Sequence, residues 1–221
     1  MWEFRKIEII YVDNYLVVAN KPAGMLVVPT PKKEIYTLSH VLNQQFETQS
    51  ANELFPCHRL DRDTSGLIVY ARGRKIQELV MRQFRQHQVK KKYIAFVHGR
   101  LKKTSGFIEN FIEDVPIGGK RYKHQRKLAV TNYQVKEERK NYSIVAVEPV
   151  TGRTNQIRIH FKQMGNPLVG ERKYAFARDF PIKFRRVALH ASQIGFRHPV
   201  TGKKITLSCS LPEDMARFME G

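Results

Sequence analysis

"PCHRLDRDTSGLIVYAR", Pro56 to Arg72, crowds His58, Arg59, Asp61, Arg62, Asp63, Thr64 and Ser65 into one polar run, then turns abruptly into Leu67-Ile68-Val69-Tyr70. The apolar run predicts a buried strand, and a polar loop feeding straight into such a strand can hold a reactive group rigidly.

Working outward, Ile9-Ile10-Tyr11-Val12 and Tyr15-Leu16-Val17-Val18-Ala19 flank the turn formers Asp13-Asn14 and predict a hairpin, closed by Lys21-Pro22-Ala23-Gly24. Thr37 can cap a helix whose Leu38, Val41, Leu42 and Phe46 share a face. A second helix is predicted from Arg74 to Val89, with Ile76, Leu79, Val80 and Phe84 on its apolar stripe and Arg74, Lys75, Arg82 and Arg85 largely outside it. Strands are predicted at Tyr93–Val97, Ala129–Val135, Tyr142–Val147, Gln156–Phe161 and Ile205–Ser208, and a last helix from Pro212 burying Met215, Phe218 and Met219. Grouped strands with flanking helices indicate an α+β fold rather than a doubly wound one. No repeat, low-complexity tract or long Ser/Gly linker divides the 221 residues, so a single domain over 1–221 is expected.

Composition narrows the partner. Lys and Arg number 39 against 20 Asp and Glu, a formal charge of +19. Such an excess repels itself unless a polyanion neutralises it, and nucleic acid leads over an acidic membrane surface. Cys57 and Cys209 form no metal-ligand or disulfide pattern. The chain opens on no signal peptide and holds no apolar run near the roughly 18 residues a span requires. A soluble, cytoplasmic protein is expected.

Several chemistries lose support. Gly118-Gly119-Lys120 is no phosphate-binding loop, no G-x-G-x-x-G follows a strand, and the eight histidines fall into no zinc-hydrolase or deaminase spacing. Ser65, in Asp63-Thr64-Ser65-Gly66, suits a turn better than a nucleophile.

What remains is Asp61 and "TGRTNQIRIHF", Thr151 to Phe161. On a strand, Gln156, Arg158 and His160 line the face opposite Ile157, Ile159 and Phe161. A guanidinium at Arg158 could then keep Asp61 ionised in a partly desolvated cleft, although a purely structural Asp–Arg bridge has the same spacing. In "KKYIAFVHG", Lys91 to Gly99, Tyr93 suits core packing or a stacking platform for an unstacked nucleotide.

His58-Arg59-Leu60-Asp61 with Thr64-Ser65-Gly66-Leu67, preceded by Asn20-Lys21-Pro22-Ala23-Gly24, resembles the RluA family of pseudouridine synthases. Lys92-Tyr93, Gly152-Arg153-Thr154, Gln156-Ile157-Arg158, His160, Leu189-His190-Ala191 and His198-Pro199-x-Thr201-Gly202 extend the match in order from about Ile9 to Pro212. The resemblance implies one catalytic domain on a mixed, largely antiparallel sheet split by a cleft, with no cofactor and no metal. It implies Asp61 as the essential carboxylate, Arg158 as its salt-bridge partner, Tyr93 as the ring against the target uracil, and Arg59 as the side chain entering the RNA. The reaction it implies breaks the N1–C1′ bond of a uridine, turns the uracil and rejoins it through C5. The carboxylate either traps C1′ as an ester or takes a proton from C2′ to give a glycal.

Arg62 is expected to face RNA beside Arg59. "GKRYKHQRK", Gly119 to Lys127, offers Lys120, Arg121, Lys123, Arg126 and Lys127 with no acid between them, which suits an RNA-gripping insertion. Asn155 stands where many family members have His, and Asn166 to Glu171 replaces a more usual His and Asp at its ends. The first motif lies too near the chain start for an amino-terminal S4 domain. The target, ribosomal or transfer RNA, is expected to be selected by the catalytic domain or a partner, and the protein to act as a monomer. A non-catalytic RNA-binding factor on the same fold is the alternative.

Overall fold

The computed structural model describes residues 6–49, 52–113, 126–175 and 182–220. In chain order its elements are β1 (Glu8–Val12), β2 (Leu16–Lys21), α1 (Leu38–Gln45), β3 (Leu54–Pro56), β4 (Ser65–Arg72), α2 (Arg74–Arg85) and β5 (Lys90–His98). They continue as β6 (Ser105–Glu113), β7 (Arg126–Glu138), β8 (Tyr142–Pro149), α3 (Gln156–Gln163), β9 (Leu189–Arg197), β10 (Lys204–Ser208) and α4 (Glu213–Glu220). The fold is α+β with mixed, largely antiparallel strand pairing, as expected. It divides into two compact units, Met1–Lys90 with Ser192–Pro212, and Lys91–Ala191 with Glu213–Gly221.

In the first unit the strand order is β1-β2-β4-β9-β10, with β3 on β4. The β1–β2 hairpin closes where expected because Asp13 Oδ1 accepts the amides of Tyr15 and Leu16, both at 2.7 Å, the short-range bonding that suits Asp to turns. Strand β4 is buried on both faces. Leu67, Val69 and Ala71 pack with Leu16, Val18, Cys57, Val80 and Phe196, while Ile68 and Tyr70 are equally enclosed and the Tyr70 hydroxyl lies 3.0 Å from Ser39 Oγ on α1. Thr37 caps α1, its hydroxyl accepting from the His40 amide at 3.3 Å. Helix α2 stops at Arg85, short of the expected Val89, and His87 beyond it lies at φ 56. Leu79, expected on the apolar stripe, is exposed.

In the second unit the order is β9-β5-β8-β7-β6. Ala95, Val97, Val145, Val147, Tyr133, Ile157, Phe161 and Leu168 share its core, and α4 adds Phe218 against Phe96, Tyr142 and Phe184. Strands β3, β6 and β9 were not expected; Phe107 and Phe111 of β6 are exposed, so period-two burial is weak there. A further expectation is overturned. Gln156 to Phe161 is not a strand but the first six residues of helix α3. Its Q-I-R-I-H-F alternation also fits a helix, because Ile157 and Phe161 are four apart and enter the core together. Six residues are too few to separate the two periods.

Candidate active site

The quoted stretch, all in the first unit, is pinned on both sides of Asp61. Upstream, His58 Nε2 accepts the Val69 amide at 3.1 Å, and the imidazole stacks on Phe84 with centroids 4.6 Å apart. Downstream, the Asp61 carbonyl accepts the Thr64 amide at 3.1 Å, closing a turn with Arg62 and Asp63 at its centre and delivering buried Thr64 and Ser65 into β4. Arg62 is the anchor of that turn. Its carbonyl accepts from the Gly24 amide at 2.8 Å and from Lys21 Nζ at 3.0 Å, and its Nε donates to the Gly24 carbonyl at 3.0 Å.

Lys21 is fully buried, and its ammonium also donates to the carbonyls of Pro22 and Met25 at 2.9 and 2.7 Å. Three carbonyl dipoles around one cation offset much of the desolvation cost. The lysine therefore ties the end of β2 and the loop after it to the Asp61 turn. The sequence signal was a lysine ending the apolar run Leu16–Ala19 directly before Pro22, where carbonyls lose their ladder partners. Arg59 and Arg62 are exposed, and Asp61, between them in the chain, is half-buried. Cys57 is buried, which pushes its thiol up to about 12 and suits packing rather than nucleophilic chemistry.

The second unit carries Tyr93 and Arg158. Tyr93 lies on β5 opposite Val147 of β8, half-buried against the core. Arg158 is buried on α3 and forms a two-bond ion pair with Glu171, Nε to Oε2 at 2.7 Å and a terminal nitrogen to Oε1 at 2.8 Å. Its other terminal nitrogen donates to Asn155 Oδ1 at 2.9 Å, and the guanidinium lies 5.4 Å from the centroid of the Tyr174 ring. Burial alone raises the Glu171 carboxyl, but the bonds and charge of Arg158 with the Lys173 and Tyr174 amides outweigh it and hold it below its ordinary value. Asp61 is thus described in the first unit, and Tyr93 and Arg158 in the second.

Gln156, expected on an open strand face, is instead buried at the start of α3. Its Oε1 accepts from Thr151 Oγ1 at 2.7 Å and the Arg153 amide at 2.9 Å; its Nε2 donates to the Val130 carbonyl at 3.0 Å and Thr131 Oγ1 at 2.9 Å. All four bonding positions of the amide are used, so this one side chain rivets the 151–156 loop to β7. His160 Nδ1 lies 2.9 Å from the same Thr131 hydroxyl, and burial pushes the imidazole down to about 4. On β5, Lys91 reaches the Thr151 carbonyl at 3.3 Å, and desolvation pushes its ammonium down to about 8. Arg126 and Lys127 are exposed at the start of β7; Lys120, Arg121 and Lys123 lie outside the described residues. No helix of the described residues is long and apolar enough to cross a membrane.

Asp61 thus sits on a turn pinned on both sides, and Arg158 in a buried two-bond ion pair. The description "RNA pseudouridylate synthase" matches residues 15–163. The chain is 37% identical over 225 residues to "Uncharacterized RNA pseudouridine synthase YlyB" of Bacillus subtilis, covering 97% of this chain and 72% of that one. It is 34% identical over 230 residues to "tRNA pseudouridine synthase C" of Haemophilus ducreyi, covering 94% of this chain and 92% of that protein. The solved structure of human RNA pseudouridylate synthase domain containing 4 superposes with a TM-score of 0.79 at 26% identity, covering 96% of this chain and 92% of its own. The chain belongs to the RNA pseudouridylate synthase family, within its RluA branch. It is an isomerase that converts uridine in RNA to pseudouridine.

Proposed function

We propose that this protein isomerises specific uridines in structured ribosomal or transfer RNA, with Asp61 as the essential carboxylate and Tyr93 and Arg158 as groups the same reaction requires. The observation that carries the reading is the double anchoring of the Asp61 turn by Lys21, Gly24 and His58. A carboxylate that must act at one carbon of a ribose needs such fixed placement. The flipped uridine costs a few kcal/mol to unstack, which favours targets already in loops.

Asp61 either attacks C1′ as N1 leaves, forming an ester, or takes a proton from C2′ as N1 leaves, giving a glycal; the released uracil turns, C5 joins C1′ as the ester C–O bond breaks or as C2′ regains its proton, and the C5 proton is lost while N1 gains one. The balance is an isomerisation with neither water nor redox partner consumed. Arg59 and Arg62 face the RNA beside the uridine, and Lys120, Arg121, Lys123, Arg126 and Lys127 contact its backbone. The protein works as a cytoplasmic monomer, a reading supported by the self-repulsion of its +19 charge, which opposes association of like copies.

The test is tritium release from C5-labelled uridine in separate transfer and ribosomal RNA pools, wild type against Asp61→Asn. Release by the wild type alone supports the assignment. Pseudouridine made by Asp61→Asn refutes the role of Asp61, and RNA binding with no product from either pool favours a non-catalytic RNA-binding factor.

A further inference from the structure

Around Arg158 the contacts close into a ring. Arginine can only donate, so the Asn155 side chain must turn Oδ1 toward it, which leaves Nδ2 to donate to the Tyr174 hydroxyl at 2.9 Å. Tyr174 and Lys173 in turn donate their amides to Glu171 Oε1, at 3.2 and 2.8 Å, the oxygen that also accepts from Arg158. The carboxylate that holds the arginine therefore also holds the backbone carrying the tyrosine. Asn155 closes the ring from the left-handed region, φ 54 and ψ 22, a conformation that Asn and Gly tolerate better than other residues.

From this geometry we infer that Tyr174, acting through Asn155, is a positioning residue for Arg158: the pair sets the plane of a guanidinium that Glu171 holds along one edge. The inference rests on the proposed requirement for Arg158. The Glu171 bonds fix one edge but permit rocking about it; the Asn155 bond to the other terminal nitrogen, backed by the Tyr174 hydroxyl, opposes that motion. Small displacements of a reacting or charge-bearing group can cost up to about 100-fold in rate, so the ring affects turnover more than substrate affinity.

The experiment compares wild type with Asn155→Gly, Asn155→Asp and Tyr174→Phe. Glycine keeps the left-handed backbone and removes the amide; aspartate still accepts from Arg158 and can accept the Tyr174 hydroxyl proton. Tyr174→Phe keeps the ring under the guanidinium and removes only the hydroxyl. Readouts are kcat and KM by tritium release, thermal midpoint, and the NMR exchange rate of the Arg158 Nε proton, which is independent of activity. Expected are a roughly 10-fold fall in kcat with KM within about twofold for Asn155→Gly, a smaller fall for Tyr174→Phe, and recovery in Asn155→Asp. Arg158 Nε exchange should rise in Asn155→Gly while the thermal midpoint stays put.

Unchanged kcat in Asn155→Gly overturns the inference, as does a loss that follows the thermal midpoint and is not recovered by aspartate. A wild type that releases no tritium while Arg158 exchange still responds to Asn155→Gly overturns the proposed reaction instead, and leaves the ring as structural bracing only.

Discussion

Lys21 Nζ lies 3.0 Å from the carbonyl oxygen of Arg62, the residue immediately after Asp61. A fully buried ammonium thus holds the turn that presents the candidate carboxylate, from the end of β2, 41 residues away in the chain. Lys21→Met removes the cation and takes one donor from each of three carbonyls, of which that of Arg62 keeps the Gly24 amide. It is expected to lower stability by about 2 kcal/mol or more, and to abolish activity even at temperatures where the variant stays folded. A thermal unfolding series with activity measured well below the midpoint checks this. A variant that is less stable yet fully active would show that the turn keeps its shape without the lysine.

Lys91 gives the pH dependence. Its ammonium, depressed to about 8, bonds the Thr151 carbonyl in the loop that leads into α3. Activity is expected to be fully present below pH 8 and to fall as pH rises through about 8. Lys91→Arg, which stays charged, should remove that limb from the pH–rate profile. Stability runs the other way. The unfolded lysine holds its proton up to about 10.5, so the charged amine penalises the folded state most below pH 8. Lys91→Met should therefore be more stable than wild type at neutral pH, and its advantage should shrink between pH 8 and 10.5. A thermal midpoint series against pH reads both.

RNA binding should be salt-dependent, since 39 Lys and Arg face 20 acids. Each phosphate contact contributes about 0.7 to 0.9 to the slope of log affinity against log salt. The double variant Arg126→Ala with Lys127→Ala is expected to flatten the slope by about 1.5. Filter binding across a salt series measures it; an unchanged slope would remove these two exposed cations from the RNA interface.

Strands β1, β2 and β4 were legible because their residues answer one demand only, whereas β9 was not expected, Ser192-Gln193 interrupting its apolar run. Leu67-Ile68-Val69-Tyr70 is apolar on both faces, and Asp13 and Thr37 each do local work that their neighbours reveal. Gln156 to Phe161 was misread because Ile157 and Phe161 satisfy two periods at once, and what decides between them is Gln156, whose side chain bonds β7 residues more than twenty positions away. Lys21 and Asn155 were visible as motif positions, but their work is long-range: a buried cation among carbonyls, and a left-handed residue between Arg158 and Tyr174. A linear reading shows such residues and conceals their partners. Asp61 was the easier case, since its turn and its strand are contiguous in sequence.

Strand β9 passes from the second unit into the first between Ala191 and Ser192, and the chain returns between Pro212 and Glu213. Neither unit is therefore one continuous segment, which bears on how the protein is made. While the ribosome is still translating the middle of the message, β4 has β2 along one edge but not yet the 192–197 part of β9 along the other. The nascent Leu67–Tyr70 segment must wait, apolar on both faces, for about 120 further residues, six seconds or more at about 20 residues per second. Synthesis imposes on this enzyme an interval of exposed strand edge that a chain with contiguous folding units avoids.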